Sequence, residues 1–187
     1  SGKGLSAALY MVRMQALVHL IINKFNPSPK ELCLELNEYI KNDRKDKTFV
    51  TACVAFFPKG ENYFMMVRAG HNSPLLYRKE KDVVLDLKTT GFALGMTTTK
   101  RLEAFMKETR ISFVPGDALM IYTDGLNEAR NLFGEEFGDS RIRSLIELYG
   151  ELEAKTILRK VQNSLEHFIG STKPGDDITF SCIKKVG

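Results

Sequence analysis

Two uninterrupted runs, residues 48–57 (TFVTACVAFF) and 118–123 (ALMIYT), constrain the fold more than any other feature of this chain. Nearly every position in them is β-branched, aromatic or apolar. They lack the alternation of a strand with one face in water, so each predicts a strand covered on both faces. Helices to cover them are predicted at either end of the chain. Over residues 5–25 the apolar positions Leu5, Ala8, Leu9, Val12, Ala16, Leu17, Leu20 and Ile21 recur at helical spacing. So few polar residues interrupt them that a well-buried helix is expected. Pro27 and Pro29 close it. Ser28 then caps a second helix, with Glu31 as its capping-box partner and Leu32, Leu36, Tyr39 and Ile40 turned inward. Helical texture returns over residues 139–149 and 152–169.

Shorter strands fill the middle. A turn at Pro58-Lys59-Gly60-Glu61-Asn62 leads into residues 63–67, which predicts a hairpin with the first run. Further strands are expected at 75–77, 83–87 and around 105–113, and a last one at 178–183. The order is helix pair, strands, helix pair, strand. Clustered strands with helices outside them describe an antiparallel α+β layered domain, not an alternating β-α-β fold. No internal repeat, low-complexity tract or linker divides the 187 residues, so one domain over residues 1–187 is expected.

Composition excludes several function classes. Twenty-seven basic against 23 acidic residues give a net charge of only +4, without the concentrated basic stripe that a nucleic-acid backbone requires. The mixed-sign cluster at 41–47 (KNDRKDK) reads as a solvated loop. Cys33, Cys53 and Cys182 are far apart and form no C-x-x-C pair, so neither a zinc site nor a disulfide framework is suggested; a reducing cytoplasm suits them. Arg13, His19, Asn23 and Pro58 interrupt the longest apolar stretches, so no membrane span is expected over this segment, and residues 1–25 lack the basic start and cleavage site that a signal peptide would show.

Chemistry concentrates in two acidic segments. Asp124 follows the second buried run in Tyr122-Thr123-Asp124-Gly125, and Asp176 and Asp177 precede the last strand in Pro174-Gly175-Asp176-Asp177-Ile178-Thr179. A carboxylate at the mouth of a buried strand is costly to desolvate unless it is paired or bound to a cation. The adjacent glycines allow close approach. Hard oxygen donors from separate loops, with no His or Cys nearby, describe a Mg2+ or Mn2+ site and not a zinc site. Asp-Gly is equally an ordinary turn dipeptide, and spacing alone leaves both readings open. The opening Ser1-Gly2-Lys3-Gly4 feeds a helix whose N-terminus suits an anion, but it is not a Walker A loop.

Six segments then occur in a telling order: SGKGLSAALYM at 1–11, AGHNSPLLYR at 69–78, GFALGM at 91–96, VPGDALMIYTDGLNEA at 114–129, FGEEFG at 133–138 and GDDIT at 175–179. In this order the chain resembles the SpoIIE/RsbU-type protein serine/threonine phosphatases of the PPM class, bacterial enzymes that act on anti-anti-sigma factors. The resemblance implies an α-β-β-α sandwich of mainly antiparallel sheets around two divalent cations, Mn2+ or Mg2+. It places Asp124 and Asp176 as metal ligands, Gly2 as a backbone-carbonyl ligand, and Asp177 as a neighbouring or occasional one. It implies that water activated by the two cations attacks the phosphorus of phosphoserine or phosphothreonine, so no residue other than the metal-bound water is expected to act as nucleophile. A phosphorylated STAS-type regulator is the implied substrate, with an upstream sensor domain as controller and sigma-factor regulation as the output.

The family pattern also carries an aspartate two positions before the residue that is Ser1 here, and opening strands before that. The expectation is therefore an N-terminally truncated domain, inactive or poorly active by itself. Its unpaired sheet edges would be covered by a partner chain, a homodimer being one form, or by the upstream strands. Lys3 has two readings, a substrate-phosphate contact or a solvated lysine. Thr123, Gly125 and Glu128 flank Asp124 and are candidates for orienting it or the substrate, Glu128 being equally suited to a local helical turn. Asp117 reads as turn chemistry and His71 as a structural hydrogen-bonding residue. Two rivals stand beside the phosphatase: a catalytically silent PPM-like docking module, which would have no need of both Asp124 and Asp176, and a metal nuclease, for which no basic groove with stacking aromatics is present.

Overall fold

Seven strands and six helices follow one another in the computed structural model, which describes residues 5–42 and 48–187. The helices are α1 (Leu5–Phe25), α2 (Pro29–Asn42), α3 (Thr99–Phe105), α4 (Asp124–Asn127), α5 (Gly138–Tyr149) and α6 (Ala154–Ile169). The strands are β1 (Ala52–Phe56), β2 (Tyr63–Ala69), β3 (Leu75–Arg78), β4 (Val83–Asp86), β5 (Thr109–Ser112), β6 (Ala118–Tyr122) and β7 (Phe180–Lys184). All named strand pairs are antiparallel, in one sheet of order β1-β2-β5 and another of order β4-β3-β6-β7. The chain is α+β, as expected from its strand and helix order. It divides into two compact units, one holding residues up to His71 with Thr89–Ser112, the other Asn72–Lys88 with Phe113–Gly187.

In the first unit α2 is set by its ends and one face. Ser28 and Glu31 form the expected reciprocal cap, the Ser28 N–H donating to Glu31 Oε2 at 2.7 Å and the Glu31 N–H to Ser28 Oγ at 3.2 Å. Leu32, Cys33, Leu36 and Ile40 face a core shared with Val67, Ala69, Leu94, Leu102 and Met106. Tyr39 is only half-buried, its hydroxyl taking a bond from Arg13. The one buried polar side chain on that face, Asn37, is satisfied: it donates to Thr97 O and Thr99 Oγ1 and accepts from the Gly95 N–H at 2.8 Å.

Three expectations need correction here. The first helix forms over the expected residues, but among its described side chains only Ile21 is buried, while Leu9, Met11, Val12, Leu20 and Phe25 are exposed. Among the described side chains of α1, the stripe of Tyr10, Met14, Leu17, Val18, Ile21 and Ile22 meets the core, and the exposed apolar residues lie off that stripe. β1 is shorter than residues 48–57 and only half-buried, because it lies at the edge of its sheet among the described residues. The strand expected around 105–113 begins only at Thr109, since α3, capped by Thr98 Oγ1 accepting from the Arg101 N–H, occupies the residues up to Phe105.

The second unit is built around β6. β6 is buried at four of five positions between β3 and β7, as its apolar run predicts. Ile142 and Ile146 of α5 and Ile157, Val161 and Leu165 of α6 cover the sheet. Tyr122, at the end of β6, donates from its hydroxyl to Asp139 at the start of α5, 3.0 Å away. Burial and that bond push the phenol well above its ordinary pKa. At the opposite end of β6, buried Asp117 collects donors from the strands around it. No helix among the described residues is long and apolar enough to cross a membrane.

Candidate metal centre at the β6–β7 strand ends

β6 and β7 run antiparallel, so the end of one lies beside the beginning of the other. Tyr122 pairs with Phe180 as the last register position. Beyond it, Thr123 holds the two segments together with three bonds. Its N–H donates to Thr179 O at 2.9 Å, its hydroxyl donates to the same carbonyl at 3.2 Å, and the Thr179 N–H donates to Thr123 Oγ1 at 3.1 Å. The pairing is therefore extended past the strands by a side chain, up to the residue that precedes Asp124.

Asp124 then opens the single-turn helix α4. Its Oδ1 accepts from the Gly125 N–H at 3.1 Å, and its carbonyl accepts from the Glu128 N–H at 2.9 Å. Glu128 thus ends the turn through its backbone while its side chain is exposed. Gly125 is buried, and a Cβ there would run into the carbonyl oxygen of Asp177 and lie 3.4 Å from Ile178 Cα. The two acidic loops consequently touch at this glycine. Gly125 is required for space and not for backbone conformation, since its φ is not in the left-handed region. On the other loop, Asp176 Oδ1 accepts from the Asp177 N–H at 2.9 Å.

Asp124, Asp176 and Asp177 are all exposed. The expectation that burial makes these carboxylates costly to maintain is corrected: all three lie at the surface, beyond the last paired residues of β6 and β7. Three carboxylates on two touching loops, with oxygen the only donor type, suit Mg2+ or Mn2+ in their chemistry. They do not form a closed site by themselves: among the described residues no three His, Cys, Asp or Glu side chains gather closely enough to hold an ion. Gly2 and Lys3 lie outside the described residues.

Sequence reasoning missed Thr179 as the partner of Thr123, and it missed two asparagines. Asn72, in the AGHN segment, donates through its amide to Asn127 Oδ1 of α4 at 3.3 Å, tying that segment to the turn that begins at Asp124. His71 faces the Thr51 hydroxyl at 3.5 Å and its carbonyl accepts from Arg68, in keeping with a structural role. Burial raises the thiol of Cys33 to about 12 and those of Cys53 and Cys182 to about 11, so all three stay protonated near neutrality.

Filling Gly125 is a sharp check on this geometry. Gly125→Ala is expected to destabilise the chain by about 1–3 kcal/mol through overpacking. It is also expected to weaken Mn2+ binding at least about tenfold, comparable to losing a residue that orients a ligand. Urea unfolding and titration calorimetry measure the two effects, and a variant with wild-type values for both would show that the loops are not in contact.

The antiparallel sheets, their covering helices and an acidic corner where β6 ends beside the start of β7 define a chain of the PP2C phosphatase fold. It superposes on the SiaA-PP2C domain of Pseudomonas aeruginosa with a TM-score of 0.84, at 18% identity over 99% of this chain and 72% of that one. The RsbU and RsbW domains of Rv1364c from Mycobacterium tuberculosis match with a TM-score of 0.78, at 22% identity over 99% of this chain and 49% of that one. Residues 1–186 match the family described as Stage II sporulation protein E (SpoIIE), and the chain belongs to that family. Protein IcfG of Synechocystis is 28% identical over 149 residues, which cover 79% of this chain and only 22% of IcfG.

Proposed function

We propose that this chain is a metal-dependent protein phosphatase domain that hydrolyses phosphoserine or phosphothreonine on a folded regulatory protein, a phosphorylated STAS-type antagonist of an anti-sigma factor. The observation that carries the reading is the contact between the two acidic loops at Gly125, in a chain of the SpoIIE family. Asp124 and Asp176 are the residues that would hold the cations, with Asp177 beside them. Two divalent cations, Mn2+ or Mg2+, supply charge neutralisation at the phosphoryl oxygens and activation of the attacking water when bound. Relatives support that pairing: RsbX has a structure in complex with magnesium, and the phosphatase domain of SpoIIE from Bacillus subtilis has one after soaking with Mn.

The chain's own residues perform three tasks in this reading. Thr123 and Thr179 hold the loops at a fixed separation, which keeps the carboxylates from having to assemble anew for each turnover. Exposure leaves the carboxylates open to a macromolecular phosphate. The absence of a low-pKa thiol is consistent with direct hydrolysis by water, without a covalent intermediate on cysteine. The deciding assay is phosphate release from a phosphoserine-bearing STAS protein with Mn2+, with Mg2+ and with EDTA. Release with a divalent cation that EDTA abolishes is expected. No release, together with no Mn2+ binding by calorimetry, would favour the silent docking module instead.

A further inference from the structure

The single turn α4 has two unlike sides. Gly125 and Leu126 are buried, Asp124 and Glu128 are exposed, and Asn127 is half-buried. The Glu128 N–H bonds Asp124 O at 2.9 Å, which makes this a turn of the α type. Residues three apart on such a turn share a face, with Cβ atoms about 5–6 Å apart. Asp124 and Asn127 are such a pair. Of the four residues of α4, Asn127 alone has a side chain that can donate a hydrogen bond.

The way that amide is held limits what it can bind. Its Oδ1 accepts from Asn72 Nδ2 at 3.3 Å, and its own N–H groups find no acceptor among the described residues. Asn72 stands between β2 and β3 in the AGHN segment. The one atom of Asn127 that could ligate a cation is therefore turned to a neighbour, and its donors are left over. Asp124 does not take them, since its Oδ1 accepts from the Gly125 N–H. A spare neutral donor next to a carboxylate that would hold a cation suits an oxygen anion bound to that cation.

We propose that Asn127 donates to a non-bridging oxygen of the substrate's phosphoryl group, and that Asn72 is the positioning residue that sets its amide. The proposal rests on the phosphatase reading above and assigns a substrate contact within that site. Its ligand is the phosphoryl group itself, so a phosphoprotein, p-nitrophenyl phosphate and inorganic phosphate are all expected to depend on the amide.

The test titrates inorganic phosphate into the Mn2+-loaded chain by calorimetry, beside turnover of p-nitrophenyl phosphate and of a phosphoserine-bearing STAS protein. Asn127→Leu removes the amide at similar size. It is expected to weaken phosphate binding and lower kcat/KM on both substrates at least about tenfold, with Mn2+ affinity within about twofold of wild type. Asn127→Asp keeps an oxygen for the Asn72 N–H but exchanges the donors for a negative charge, and is expected to lose at least as much. Asn72→Ala is expected to cost about threefold in phosphate affinity in wild type and nothing further in the Asn127→Leu background.

Wild-type phosphate affinity in Asn127→Leu overturns the proposal even if turnover falls, because the amide would then serve the attacking water or the fold. Wild-type behaviour of Asn127→Asp overturns it too, as the mark of a purely structural tie to Asn72. An equal fall in Mn2+ and phosphate affinity overturns it by making Asn127 a support of the cations. Losses that add in the double variant overturn the role of Asn72. Phosphate binding that depends on Asn127, with phosphate released from neither substrate, would remove the phosphatase reading and leave the contact standing. Mn2+ binding without phosphate binding overturns the contact alone, and binding of neither overturns both.

Discussion

Asp124→Asn is expected to lower divalent-cation-dependent phosphate release at least about 100-fold while leaving the fold intact. Residues that merely orient a metal ligand cost roughly 10–100-fold when removed, and a direct ligand belongs at or beyond the upper end of that range. The substitution is close to isosteric, and Asn retains the carbonyl oxygen that accepts from the Gly125 N–H, so the α4 turn keeps its local bond. What disappears is the negative charge. Because Asp124 is exposed, its replacement falls among surface changes worth within about 0.5 kcal/mol, or roughly 2 °C in Tm for a chain of this length. Asp176→Asn is expected to behave in the same way, since the Asp177 N–H still finds an oxygen at position 176. Asp177→Asn is expected to cost less. Calorimetric titration with Mn2+, run beside the activity assay, separates lost binding from lost chemistry. Near-wild-type release by Asp124→Asn would sink the assignment of the site.

How much of this was visible in the chain depends on how local each feature is. The α2 cap is a three-residue motif, and Ser28 and Glu31 meet as their spacing requires. The β1–β2 hairpin and β3–β4 pair are likewise local, and both are antiparallel as expected. The helix α3 was legible in principle, with Thr98 as cap ahead of the helix-forming Lys100-Arg101-Leu102-Glu103-Ala104, but the β-branched threonines and the apolar residues after it suggest a strand. Helical periodicity located α1 but carried no information about how much of its circumference finds a partner. At the site, Asp-Gly after a buried run and Gly-Asp-Asp before the last strand marked two acidic segments, and the structure brings their loops into contact at Gly125. Nothing along the chain pairs Thr123 with Thr179, which lie 56 residues apart, because that juxtaposition exists only once β7 has chosen β6 as its neighbour.

The same non-local logic makes Asp117 the residue whose loss should cost the most stability. It was read as turn chemistry, and Pro115-Gly116-Asp117 does turn, with Gly116 at φ +96 and an Asp117 N–H to Val114 O bond of 3.0 Å. The side chain does more than the turn requires. Fully buried, it accepts from Arg78 at 2.7 Å and from the Val114 N–H at 3.1 Å on Oδ2, and from the Lys79 N–H at 3.2 Å on Oδ1, while its carbonyl accepts from the Lys185 N–H. The carboxylate thus joins the end of β3 to the approach to β6, and the residue's backbone carbonyl adds the exit from β7. Asp117→Ala deprives two backbone N–H groups and a guanidinium of this acceptor, and removing one partner of a buried ion pair costs about 3–5 kcal/mol. Against a total stability of about 5–15 kcal/mol, that is expected to move the urea midpoint sharply downward. Arg78→Leu is expected to cost less, because Asp117 keeps both backbone donors. Since Asp117 stands before β6 and Asp124 after it, the Asp117 variant is also expected to lose Mn2+ affinity in step with its folded fraction, and saturating Mn2+ should recover part of the midpoint. Equal midpoints for Asp117→Ala and wild type would mean that the turn alone, and not the carboxylate, holds these strands in register.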